Sequence, residues 1–222
     1  MIIRIPDLLQ RHEAEVLRGL LLKGAFEDGR ATASGQAALI KNNLQLARGS
    51  EARKQADQIV REAVARSQRL RDKTLVKLVA PPTYNRYDVG MEYGDHVDAP
   101  SMNEGRFRAD LSMTIFLTDP ADYDGGELVM SQGDAEMRIK YGVGEAVIYP
   151  TTVRHHVAPV TRGSRLAAVT WLQSFIGDPL QRQILVDLSD AKNALEERQP
   201  DAPELTTLKN ALFNLLRVWW QP

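Results

Sequence analysis

Between Thr74 and Phe175 apolar and polar residues alternate in short runs, while on either side of that stretch they recur at helical spacing. The middle is rich in Val, Ile, Tyr, Phe and Thr, broken by Gly, Pro and Asp turns. Strand-like segments lie near Leu75–Val79, Thr83–Val89, Tyr93–Val97, Leu111–Leu117, Gly126–Ser131, Ala135–Lys140, Glu145–Tyr149, Val153–Val160 and Arg165–Gln173. Strands alternating with helices, as in a βαβ fold, are not seen. Eight or nine short strands with little helix between them predict a double-sheet jelly roll or barrel.

The flanks read differently. Leu9, Val16, Leu17, Leu20 and Leu21 predict a helix over Leu8–Phe26, and Gly29 and Gly35 end the pattern in a loop or short strand. A second helix is predicted over Glu51–Leu70, with Ala52, Ala56, Ile59 and Ala63 on one side. Past Pro179 helical spacing returns over Leu180–Arg198 and Glu204–Trp220. The last helix carries a stripe of Leu205, Leu208, Leu212, Leu215, Leu216 and Trp219. That stripe either packs on the barrel or, with Trp219-Trp220, forms a homodimer surface. The expected class is α+β. A double-stranded β-helix core at 74–177 lies between an N-terminal helical support at 1–73 and a C-terminal helical pair at 178–222.

Composition narrows the function. The 222 residues have a formal net charge of −1, which gives no reason to expect nucleic acid or a membrane surface as partner. With no cysteine, thiolate metal sites, disulfides and cysteine nucleophiles are excluded. No apolar run approaches the roughly 20 residues of a membrane span, and the N-terminal run is too short for a signal peptide. A cytoplasmic enzyme is the default expectation.

Three of the four histidines fall in two strings, His96-Val97-Asp98 and Arg154-His155-His156-Val157. On an extended strand, residues i and i+2 share a face, so His96 and Asp98 can aim at one point. A histidine from a distant strand would complete a 2-His-1-carboxylate set, which suits non-haem Fe(II). Alone, an H-x-D string is common by chance and most often a solvated pair. Farther on, the Gly163 turn can bring Arg165 back toward the strand that carries His155. An arginine inside a barrel requires an anion, and its planar fork grips a carboxylate. Without a metal nearby, an ordinary exposed strand residue is the better reading of Arg165.

Further strings set these residues in a family pattern. They are Tyr84-Asn85-Arg86-Tyr87 with Gly90 and Tyr93, Asp122-Tyr123-Asp124-Gly125-Gly126-Glu127-Leu128, Tyr149-Pro150, His155 to Arg165, and Trp171-Leu172-Gln173-Ser174. In order and spacing the chain resembles the iron- and 2-oxoglutarate-dependent dioxygenases of the prolyl-hydroxylase type. More closely it resembles the bacterial PKHD-type hydroxylases, a group linked to iron uptake. The resemblance implies Fe(II) held by His96, Asp98 and His155, and 2-oxoglutarate held through its distal carboxylate by Arg165. Tyr87 matches a tyrosine beside the cosubstrate, with a plain barrel-wall aromatic as the equal alternative. The resemblance selects His155 over His156, and strand alternation lets only one of the two reach the metal. It implies hydroxylation of a C–H bond of a peptide or small molecule, with molecular oxygen consumed and succinate and carbon dioxide released. L-Ascorbate is left open as a reductant. The pattern departs at Arg154, usually apolar, and at Ala99, often Asn. A non-catalytic module that senses iron or 2-oxoglutarate would keep the same ligands, and a cupin-like enzyme is a third reading. The Ala99–Arg108 stretch reads as a variable loop, Gly125-Gly126 as a tight turn, and Glu127 as structural.

Overall fold

A computed structural model describes residues 1–32 and 35–221 of the chain. Two antiparallel sheets face each other as a jelly roll. The larger runs in the order Ile3–Ile5, Ala146–Pro150, Leu111–Phe116, Arg165–Ser174, Thr83–Tyr87, Leu44–Leu46 and Phe26–Asp28, with Val76–Val79 also paired to Arg165–Ser174. The smaller runs Ala135–Ile139, Leu128–Gln132, Arg154–Val157, Glu92–His96 and Lys41–Asn42.

Alternation divides the larger sheet into two chemically different faces. Leu111, Met113, Ile115, Ala146, Ile148, Leu166, Ala168 and Leu172 point outward into the main core. There they meet Leu17 and Leu21 of the helix Arg11–Lys23 and Val60, Ala63 and Val64 of the helix Glu51–Arg66. The opposite parity faces the other sheet. Phe116, Val147 and Tyr149 pack there on Leu128, Met130 and Ile139, sealing one end of the barrel. The polar inward positions that remain, Asn85, Ser112, Thr114 and Arg165, are all buried.

Each of the strand-like segments of the middle region forms a strand, and several boundaries differ from the expectation. Val153–Val160 is two strands, Arg154–Val157 and Val160–Arg162, because Pro159 cannot donate to a ladder. The Glu51–Leu70 helix breaks at Ser67, whose hydroxyl accepts from Leu70 N and caps a second helix, Gln68–Thr74. The N-terminal segment adds short strands to both sheets, which its glycine-broken polar sequence showed only as a loop or short strand. The final helix, Glu204–Trp219, packs on Pro179–Arg198 and buries none of its residues fully. Its end is tied down by Trp220 stacking on Phe175 at 3.9 Å and by Gln221 N donating to Phe175 O. Among the described residues no helix is long and apolar enough to cross a membrane.

Candidate metal centre

The strands Glu92–His96 and Arg154–Val157 are hydrogen-bonded neighbours, and His96 lies directly opposite His155. The pairing carries a bulge: His155 opposes His96 while Val157 opposes Tyr93. One extra residue on the Glu92–His96 side places Tyr93 and His96 on the same inward face. Their rings stack at 3.8 Å. The strand ends at His96, yet alternation persists beyond it, with Val97 exposed and the Asp98 side chain largely enclosed.

His96, Asp98 and His155 each offer a ligand atom, and these atoms lie within 4.8 Å of one another. His155 Nε2 is 3.9 Å from Asp98 Oδ2, and the two imidazoles sit 4.3 Å apart at an angle of 51°. Both rings are oriented in the same way. His96 Nδ1 donates to Gly94 O at 2.8 Å and His155 Nδ1 to Val153 O at 2.9 Å. A carbonyl can only accept, so each Nδ1 carries a proton and Nε2 is the nitrogen left to bind a metal. Burial, and then the neighbouring His155, pushes the His96 pKa down to about 4, so this imidazole is neutral near pH 7. Ser112 Oγ donates to Asp98 Oδ2 at 2.5 Å, leaving the other carboxylate oxygen free. The edge of Tyr149 abuts His155 at 5.0 Å. Two imidazoles with their Nδ1 atoms engaged and a held carboxylate on one side of a point fit a divalent iron with open positions opposite.

His156 is on the other face of the strand, where its Nδ1 bonds Asp95 Oδ1 at 2.9 Å. It takes no part in the cluster.

Arg165 approaches from the larger sheet. It is 2% exposed, and its Nε is enclosed without a hydrogen-bond partner. It lies opposite Tyr87 in the ladder, with its Cζ 5.2 Å from the Tyr87 ring and 5.8 Å from that of Phe116. The Gly163 turn delivers it differently from the expectation. The strand before the turn pairs with Asp124–Gly125, and the strand after it joins the larger sheet, so Arg165 faces His155 across the barrel, not along a hairpin. Gly125-Gly126 is more than a turn. Both residues have positive φ, and a Cβ on Gly126 would stand 3.1 Å from Arg165 Cδ and 3.1 Å from Tyr123 Cε2.

The sequence profile of the 2OG-Fe(II) oxygenase superfamily matches residues 82–173, the stretch that holds every one of these side chains. A PKHD-type hydroxylase of Gluconacetobacter diazotrophicus is 41% identical over 224 residues, covering 99% of each chain. One from Gloeothece citriformis is 38% identical over 219 residues, again 99% of each. The chain belongs to the PKHD-type hydroxylases.

Solved structures share the fold at lower identity. A prolyl hydroxylase from Trichoplax adhaerens, in complex with a peptide fragment of the hypoxia inducible factor oxygen degradation domain, superposes with a TM-score of 0.55. It is 19% identical and covers 77% of this chain and 82% of its own. SnoN, a non-heme alpha ketoglutarate dependent epimerase from nogalamycin biosynthesis, gives 0.54 at 13% identity over 79% and 78%. One jelly roll thus serves a hydroxylase and an epimerase, so the fold alone does not choose the reaction. The full-length relatives do: this PKHD-type hydroxylase is an Fe(II)- and 2-oxoglutarate-dependent dioxygenase.

Ser112 had no sequence signal of its own and becomes visible only once the parity of its strand is known; the same parity sets Tyr149, part of a family string, against His155. Asp110 accepts from Arg108 and from Ser174 N and so fixes the ends of two strands. The Ala99–Arg108 stretch is a small hairpin, Ser101–Met102 against Phe107–Arg108, anchored by buried Phe107.

Proposed function

We propose that His96, Asp98 and His155 hold Fe(II) in this hydroxylase, and that Arg165, beside Tyr87, holds the distal carboxylate of 2-oxoglutarate. The observation that carries this reading is the pair of imidazoles, clustered with Asp98, whose Nδ1–H groups are spent on backbone carbonyls, which leaves each Nε2 as the nitrogen that can bind a metal. When bound, iron supplies the activation of oxygen that couples decarboxylation of 2-oxoglutarate to hydroxylation of a C–H bond.

The chain supplies position and charge. Gly94 O and Val153 O fix the two ring planes, and Ser112 holds Asp98 so that a carboxylate oxygen stays on the metal side. Arg165 is a buried cation that awaits a carboxylate, and its fork would align the cosubstrate across the barrel from the metal ligands. Tyr87 flanks the guanidinium with its ring, and Phe116 and Val147 keep that end of the barrel dry.

The test is anaerobic addition of Fe(II) and 2-oxoglutarate to the purified protein, followed by oxygen and measurement of succinate. The wild type should develop the charge-transfer absorption of an iron–keto-acid complex and release succinate, with L-ascorbate added to ask whether a reductant sustains turnover. His96→Ala and Asp98→Ala should lose both signals while retaining the wild-type far-ultraviolet circular dichroism. Wild-type turnover in either variant would overturn the ligand assignment.

A further inference from the structure

The described residues hold a second buried cation that the reading above leaves without a role. Lys41 lies on the short strand Lys41–Asn42, hydrogen-bonded along the edge of the Glu92–His96 strand and directly opposite Tyr93. It is 7% exposed, and its Nζ stands 5.3 Å from the centre of the Tyr93 ring, the ring that stacks on His96. The next residues continue the pattern: Asn43 and Gln45 are buried on the same parity, while Asn42 turns out to Gly90 O. The chain is held there firmly, since Gly29 N donates to Asn43 O at 2.8 Å.

An ammonium can donate three hydrogen bonds, and among the described residues this one makes one, to Thr32 Oγ1 at 2.8 Å. The two acids whose fields reach it are engaged elsewhere: Asp28 is gripped by Arg30, and Asp98 belongs to the metal set and accepts from Ser112. Lys41 takes part in none of the ion pairs among the described residues. A buried charge without a counter-ion is unfavourable, and burial already lowers the Lys41 pKa to about 8. An anion at this point would remove the penalty. 2-Oxoglutarate is poorly placed to be that anion, because its far carboxylate is claimed by Arg165 on the opposite sheet, whereas Lys41 is on the outer edge of the sheet that carries both histidines.

We propose that Lys41 anchors a carboxylate of the substrate beside His96, so that this hydroxylase selects acidic substrates. The proposal rests on the iron and cosubstrate reading above. A cation one strand away from the metal strand fixes the acid end of a small molecule while leaving a carbon beyond it free to lie over the metal. A neutral isostere of the same molecule would leave the ammonium buried and unpaired, and that difference gives the discrimination.

The probe is a panel of N-acetyl amino acids, each supplied as the free acid and as its amide, with the Fe(II)- and 2-oxoglutarate-loaded enzyme. Stimulation of 2-oxoglutarate consumption is read as a function of probe concentration. The wild type should half-saturate at least tenfold lower with acids than with the matching amides. Lys41→Met should erase that ratio, and Lys41→Arg should restore part of it. Wild-type curves with no preference for acids would overturn the proposal. So would a Lys41→Met variant whose half-saturating 2-oxoglutarate rises as much as its half-saturating acid, which would make Lys41 a cosubstrate residue. The anaerobic charge-transfer absorption of each sample shows whether the fold and metal site survive substitution. Its absence in the wild type would mean that the iron reading, rather than Lys41, had failed.

Discussion

Replacing Arg165 by Met should have opposite effects on cosubstrate binding and on stability. Arg165 is 2% exposed, its Nε has no partner, and its neighbours are the rings of Tyr87 and Phe116. A bidentate pair with a carboxylate comprises two charge-assisted hydrogen bonds of about 1.5–3 kcal/mol each. Their removal should weaken 2-oxoglutarate binding by about 3–6 kcal/mol, which is roughly two to four powers of ten. The same substitution removes an uncompensated charge from the protein lacking cosubstrate and leaves apolar volume in its place. Ending the desolvation penalty of that charge should leave the unfolding free energy unchanged or raise it. Anaerobic titration of 2-oxoglutarate, followed by absorption, measures the first effect, and urea unfolding without cosubstrate measures the second. Affinity within threefold of wild type would refute the cosubstrate role. A loss of several kcal/mol in unfolding free energy would make Arg165 a structural residue, bound into the core by contacts with its ring neighbours.

Gly126→Ala should raise the half-saturating 2-oxoglutarate at least tenfold, because the added Cβ meets Arg165 Cδ and Tyr123 Cε2 at 3.1 Å and the backbone sits at φ +64°; an unchanged value would show that Arg165 does not depend on this packing. The iron-free protein should lose stability as pH falls from about 6.5 toward 4. Over that window the unfolded chain binds a proton at His96 and the folded chain, with its pKa held down to about 4 by burial and His155, does not. The full loss approaches about 3 kcal/mol, and a double difference against His96→Gln in urea unfolding at pH 7 and 4.5 isolates it from the carboxylates; equal slopes in both proteins would contradict it.

Much of this molecule was legible in the sequence because its strands are buried on alternating faces. The strand Leu111–Phe116 shows why. Its outward residues Leu111, Met113 and Ile115 are apolar for the helices, and its inward residues Ser112 and Thr114 are polar for the site. The start of Pro179–Arg198 was legible from Pro179, whereas the Ser67 cap that divides Glu51–Leu70 was not. The edge strands were not. Lys41–Asn42 and Leu44–Leu46 are only two and three residues long, and their pairing depends on partners far along the chain. The apolar stripe on Glu204–Trp219 was legible as a stripe, but not what it meets: it lies half-buried on the preceding helix, with Phe213 and Val218 exposed.

The His96, Asp98 and His155 cluster shows how a sequence pattern can rest on incomplete geometry. The i and i+2 rule places His96 and Asp98 on one face, and the structure keeps that relation although the ladder stops at His96. The same rule would send Tyr93 to the face opposite His96. The bulge against His155 and Val157 cancels that prediction, and the two rings stack instead. A bulge is a property of two strands together, so no reading of the Glu92–His96 segment alone could supply it. Its consequence extends past the metal. Turning Tyr93 inward also turns Lys41, its cross-strand partner, toward the same interior. One inserted residue thus sets both the stacking of Tyr93 on His96 and the position of the buried cation beside it.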